Sequence, residues 1–209
     1  MVSVRGRLVW ALVAGLGSAM WGCSAKMPDR VPAPPLDPAG AAAKAIEMYG
    51  HDGVISGDAL NKVPAFKNGL KRFSSGDGKV TAETITAELE KMKDSKVGLI
   101  SLIARVKLDG ADLEGAKVLL DPEPFMAGTI SPASGITSAK GMASMAIESP
   151  GDNRRGANPG IYKVRITKEV NGQEVIPAKY NKDTELGVEI SPDNGEDAAN
   201  ALRFDLKSH

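Results

Sequence analysis

Few side chains in this sequence of 209 residues are equipped for chemistry. There is one thiol, Cys23, and there are two imidazoles, His51 and His209. Acidic and hydroxyl groups gather most closely in two glycine turns, His51-Asp52-Gly53-Val54-Ile55-Ser56 and Gly76-Asp77-Gly78-Lys79-Val80-Thr81. Each turn reads Asp, then Gly, then a β-branched residue two further on, and Gly53 and Gly78 stand 25 residues apart. Nothing in the chain arms a nucleophile or builds a catalytic zinc site. HExxH, a cysteine pair, a phosphate-cradling glycine loop followed by Lys and Ser or Thr, and a Ser, His, Asp set are all missing from the sequence. Asp112 and Glu114 lie in a turn and read as solvated loop acids, not as a general acid and base. The expectation is a protein that is not an enzyme.

Cys23 takes its meaning from what precedes it. Arg5 and Arg7 are followed by the apolar run Leu8 to Met20 and then by the small residues Gly22, Cys23 and Ser24, the layout of a secretory signal. A membrane-spanning helix needs about 20 apolar residues. This run is shorter, and Pro28 follows closely, so no stable span is expected. Met20-Trp21-Gly22-Cys23 resembles the lipobox of bacterial lipoproteins, whose cysteine receives a diacylglycerol. Gly22 and Cys23 match that pattern, while Met20 and Trp21 stand where the family usually has Leu and a small residue. The resemblance implies a signal peptide over residues 1–22, lipid attachment at Cys23, and an exported protein anchored to a membrane, periplasmic or on the cell surface. The alternative is an ordinary signal cut after Ala25, with Cys23 discarded.

Removing residues 1–22 takes away two of the 26 basic residues and none of the 26 acidic ones, leaving a formal charge of −2. Such a balance gives no pull toward nucleic acid. Trp10 and Trp21 leave with the same segment, so the remaining core must be built from aliphatic residues, Met and a few Phe and Tyr. With a single cysteine, no disulfide can form within the chain, and stability must come from burial.

Residues 23–40 carry Pro28, Pro32, Pro34, Pro35 and Pro38 and read as an extended tether. The texture then changes. Residues 41–96 favour helices at Ala41–Tyr49, Ala65–Phe73 and Ala82–Asp94, the last with Ile85, Leu89 and Met92 on one face, Thr81 as N-cap and Glu83 in its first turn.

The two glycine turns between these helices resemble a pair of EF-hand-type calcium loops, closest in spacing to the loop and helix repeats of dockerins. In such loops a Gly permits the bend at the sixth position, and the aliphatic residue at the eighth pairs the two loops. Here the eighth positions are Ile55 and Val80. Position one, normally Asp, is Met48 in the first loop and Phe73 in the second, and position twelve, normally Glu, is Ala59 and Thr84. The resemblance implies at most a weak calcium site. Its better donor set is Ser75, Asp77, Thr81 and Glu83, and its poorer one Asp52, Ser56 and Asp58. Otherwise Met48, Phe73, Ile55 and Val80 form an apolar core in place of an ion.

From residue 97 the periodicity falls to two. Short apolar or alternating runs at Leu99–Leu108, Ala116–Leu120, Met142–Ile147, Ile161–Thr167, Leu186–Ile190 and Leu202–Leu206 are separated by Gly, Pro, Asn and Asp clusters. This predicts an antiparallel β-sandwich over residues 97–209, immunoglobulin-like or transthyretin-like. In one strand, Tyr162, Val164 and Ile166 should face a core and Lys163 and Arg165 water. The fold class expected for the whole chain is therefore mainly β, a sandwich preceded by a small EF-hand-like helical pair.

Several stretches make this half similar to the carboxypeptidase regulatory-like, or transthyretin-like, domains of exported proteins, especially those of planctomycete-type bacteria. They are Val106 to Val118 with Asp109-Gly110 at its turn, Asp121-Pro122-Glu123-Pro124-Phe125, Thr137 to Gly141, Asn158 to Lys168, Ile176 to Asn181, and Arg203 to Leu206. Within that pattern Pro159-Gly160 is a turn feeding a strand, Tyr162 a half-buried ring with a polar tip, and Pro177 the end of a strand edge. Lys179 beside Tyr180 is read as packing and not as an acid and base pair. The function expected is that of a lipid-anchored adhesion or scaffold module binding an unidentified protein or glycan. The alternative is a calcium-binding helical pair that modulates the sandwich.

Overall fold

A computed structural model describes residues 31–148, 154–193 and 201–209. The signal segment and Cys23 lie outside these. Helix α1 (Pro38–Tyr49) opens where Asp37 caps it, its side chain accepting from Gly40 N at 3.1 Å with Pro38 in the first turn. It thus starts inside the stretch expected to be tether. Leu36 and Pro38 are buried, and Gly98 lies so close to the chain at Val31 that a Cβ there would come within 2.2 Å of the Val31 carbonyl. From Val31 onward the proline-rich segment is docked, because Leu36 supplies the apolar side chain that the prolines lack.

The first glycine turn leads into β1 (Val54–Ile55) and a 3-10 helix at Gly57–Lys62. The helix expected over Ala65–Phe73 is two short ones, α2 (Pro64–Asn68) and α3 (Leu70–Phe73), broken at Gly69. The second turn leads into β2 (Val80–Thr81) and α4 (Ala82–Asp94). β1 and β2 pair antiparallel with Ile55 opposite Val80, as the eighth positions of two facing loops should. Thr81 and Thr84 form a reciprocal capping box at the start of α4, whose buried face carries Ile85, Leu89 and Met92.

The second half contains β3 (Ile103–Leu108), β4 (Ala111–Asp112), β5 (Lys117–Pro122), β6 (Ala133–Ile136), β7 (Met142–Ser144), β8 (Ala146–Ile147), β9 (Gly160–Thr167), the hairpin β10 (Glu169–Val170) with β11 (Gln173–Glu174), β12 (Gly187–Ile190) and β13 (Ala201–Leu206). One sheet runs β12-β9-β5-β6-β8, antiparallel throughout. In the other, β3 is flanked by β13 on one side and by β4 and β7 on the other. β13 runs parallel to β3, a departure from the antiparallel arrangement expected. The protein is mainly β, as the periodicity predicts.

The alternation of side chains then sets three layers. Val118, Leu120, Tyr162, Val164 and Ile166 point from the five-stranded sheet into the same buried cluster as Ala104, Val106, Phe204 and Leu206 of the other sheet. Tyr162 is fully buried, not half-buried, and its hydroxyl donates to the Asn158 carbonyl at 2.9 Å. Pro177 starts a 3-10 turn at Ala178–Tyr180 and does not close a strand. The opposite face of the five-stranded sheet, with Asp121, Lys163, Arg165, Gly187 and Glu189, is where the helical part sits.

Candidate functional site

Among the described residues, the buried charged side chains, Glu88 and Glu123, lie at the seam between the helical part and the sandwich. The seam is tight because of one glycine. A Cβ on Gly187 would lie 2.3 Å from Ala65 N, so only glycine lets the backbone of α2 touch β12. Asn68 Nδ2 then donates to the Gly187 carbonyl at 3.0 Å. Beside it, Phe66 stacks on Phe125 of the sandwich at 5.5 Å and meets Phe73 at 4.8 Å, and all three rings are buried. These contacts merge the two halves into a single apolar cluster.

Ionic groups surround that apolar centre. Arg72 Nη2 lies 3.2 Å from Glu88 Oε2 of α4 and 3.1 Å from Glu189 Oε1 of β12, and Lys91 Nζ lies 2.6 Å from Glu88 Oε1. A single guanidinium thus joins a helix to the sheet. Burial pushes the Glu189 carboxyl up to about 7, against the pull of Arg72. Glu123, just after β5, is wholly buried. Its nearest cation is Lys163 Nζ at 3.7 Å, beyond hydrogen-bond length, and neither carboxylate oxygen has a hydrogen-bond partner among the described residues. Burial pushes this carboxyl too up to about 7, with Lys163 opposing. Burial, and then the charge of Glu123, raises the Tyr49 hydroxyl.

Next to Glu123 the seam opens into a basin of about 320 Å³. Asn61 and Lys62 border it from the helical part, and Lys163, Arg165 and Lys182 from the sandwich, with the Tyr49 side chain, Asp183 and Thr184 completing the wall. Lys163 and Arg165 are the polar alternates of β9, so the strand that buries Val164 in the core presents these two cations here. Arg165 Nη2 pairs with Asp121 Oδ2 at 3.0 Å.

The loop residues expected to hold calcium are arranged differently. Ser75, Asp77 and Glu83 are exposed and Thr81 is partly buried. Asp77 Oδ1 accepts from Lys79 N at 3.0 Å, which closes its own turn, and Thr81 Oγ1 accepts from Thr84 N at 3.3 Å. A hydrogen bond from Thr81 holds the Glu83 carboxyl below its usual range. In the first loop Asp52 is exposed and pairs with His51 Nδ1 at 3.0 Å, while Ser56 is partly buried and Asp58 exposed. Calcium takes six to eight oxygens. Among the described residues no three acidic, His or Cys side chains converge on one point. Asp77 Oδ1 and Thr81 Oγ1, two of the oxygens expected to face an ion, are engaged by the turn and by the cap. At the loop starts, Phe73 is buried with Ile55 and Val80, but Met48 is exposed and takes no part in that core.

Sequence reasoning therefore located the loops, yet missed the ionic seam. Arg72, Glu88 and Glu189 carry no motif, Glu123 stands in a stretch read for its fold and not for its charge, and only the outward alternation of Lys163 and Arg165 hinted at a charged sheet face. Compared with protein-family models and with curated proteins, the chain matches none.

Proposed function

We propose that this protein is an exported lipoprotein, held to a membrane through Cys23, that works as a rigid, non-catalytic binding or scaffold module. The observation that carries this reading is the seam. Helices and sandwich share one apolar cluster through Phe66, Phe125 and the Gly187 contact, a construction suited to presenting a fixed surface. Buried carboxylates with raised pKa often mark catalytic sites. Here Glu123 is fully enclosed and Glu189 is tied to Arg72, so both act on the seam and neither meets a substrate. Anchoring rests on the sequence around Cys23, since no described helix is long and apolar enough to cross a membrane. The shared core also opposes the calcium-driven reading, because a hinge between helices and sandwich would have to break it.

Mass spectrometry of the native N-terminus tests the proposal. The expected result is a mature chain beginning at a diacylglyceryl-modified Cys23 and recovered with membranes. A chain beginning at Lys26 and recovered in the soluble fraction would end the anchoring claim.

A further inference from the structure

We infer that the basin beside Glu123 binds a compact tetrahedral oxyanion, a phosphate or sulfate group carried by a larger ligand or free in solution. The inference rests on reading the chain as a binding module and names the chemistry that one part of it recognises. Four cations, Lys62, Lys163, Arg165 and Lys182, converge on a concavity whose own wall holds a single acid, Asp183. Arg165 is engaged by Asp121, and Lys163 is only loosely matched by Glu123 at 3.7 Å. Lys62 and Lys182 come from opposite sides of the seam, and among the described residues neither ammonium has an acidic partner within 4.0 Å. Asp121, Glu123 and Asp183 offset part of the positive charge of the four cations, and an anion between Lys62 and Lys182 would supply the partner that these two lack.

Neutral donors point to the same class. Asn61 Oδ1 accepts from Lys67 Nζ at 2.9 Å, which leaves the amide N–H groups of Asn61 to donate elsewhere. The Thr184 hydroxyl donates to the Val164 carbonyl at 2.5 Å and accepts from Leu186 N at 3.1 Å, so it is engaged within the wall and the donors left to the basin are the cations and the Asn61 amide. A basin of about 320 Å³ with one aromatic ring, Tyr49, has room for a small charged group and offers little apolar surface to anything larger. Two unmatched cations favour a doubly charged oxyanion over a single carboxylate.

The test is a titration of the purified protein, followed by amide chemical shifts, with inorganic phosphate, inorganic sulfate and glucose 6-phosphate at constant ionic strength. Saturable shifts should centre on Lys62, Lys163 and Thr184. The double variant Lys62→Ala, Lys182→Ala should weaken binding roughly tenfold or more. Arg203→Ala, in the separate basic cluster with Arg105 and Lys107, should leave it unchanged. Equal affinity for phosphate and its sugar ester means that the free ion suffices, and tighter binding of the ester means that the anion is one part of a larger ligand. Either supports the inference. No saturable binding by any probe, or binding lost with Arg203→Ala and kept in the double lysine variant, overturns it. Those outcomes leave the lipid on Cys23 intact, so the two failures can be told apart.

Discussion

Gly187→Ala is the smallest change that should pry the helices from the sandwich. The new methyl would sit 2.3 Å from Ala65 N, 2.8 Å from Pro64 C and 2.9 Å from Ala65 Cα, where ordinary contact begins near 3.4 Å. All three are backbone atoms, so no side-chain rotation relieves the clash, and α2 must retreat by about an ångström. That retreat strains the stacking of Phe66 on Phe125 and breaks the bond from Asn68 to the Gly187 carbonyl. Overpacking of this kind costs about 1–3 kcal/mol, and a lost hydrogen bond about 1 kcal/mol more. For a chain of this size each kcal/mol lowers the melting temperature by about 2–4 °C. Calorimetry should therefore show a melting temperature lower by roughly 4–16 °C, still as one transition. Gly172→Ala supplies the comparison. Gly172 has positive φ in the β10–β11 turn with nothing within 4 Å, so alanine there should cost only about 1 kcal/mol. A Gly187→Ala protein that melts with the wild type, or loses less than Gly172→Ala, would refute the reasoning.

Glu123→Gln should stabilise the protein at neutral pH. The folded carboxyl titrates at about 7 against an ordinary value of 4.5, so the native state holds its proton more tightly than the unfolded chain does. Its destabilising effect is absent below about 4.5, grows between the two values, and is complete above 7, where it reaches on the order of 3 kcal/mol. Urea unfolding should show wild-type stability falling across that window and a shallower fall in the variant, with Glu189 accounting for the remainder. An unchanged slope would show that Glu123 is solvated. Phe66→Ala empties the centre of the seam and should cost about 3–5 kcal/mol, with helical and sheet signals lost together in circular dichroism. Separate losses would mean two independent domains. Thr81→Ala removes the N-cap of α4 and should cost about 1 kcal/mol, while melting temperatures with and without calcium stay equal in both proteins. A calcium-dependent rise abolished by this change would assign Thr81 to an ion.

What the sequence discloses follows the range of the interactions involved. Helix α4 was readable to its ends because Thr81, Glu83 and the Ile85, Leu89, Met92 stripe act within a few residues of one another, whereas the reciprocal bond of Thr84 to Thr81 came only with the structure. The pairing of Ile55 with Val80 was readable because glycine turns of fixed spacing impose it. Strand β9 announced both its faces, although its wet face proved half covered. β6 was missed because its pattern of small residues, with Gly135 at its centre, lacks an apolar rhythm. The parallel placement of β13 is a matter of long-range topology that no local pattern encodes. The seam was hidden for the same reason. Gly187, Phe66, Arg72 and Glu123 are ordinary residues until distant segments meet, and Leu36 looked like part of a tether until a core was found beneath it.

A distance measurement across the seam tests most directly the claim that helices and sandwich move as one body. Spin labels at Lys93→Cys on α4 and Lys140→Cys in the turn before β7, both exposed sites, with Cys23→Ser to remove the native thiol, report on the two halves. The account predicts one narrow distance distribution, the same in chelator and in about 5 mM calcium, above the range in which extracellular loops bind the ion. A broad or two-peaked distribution, or one that shifts by several ångströms with calcium, would contradict it.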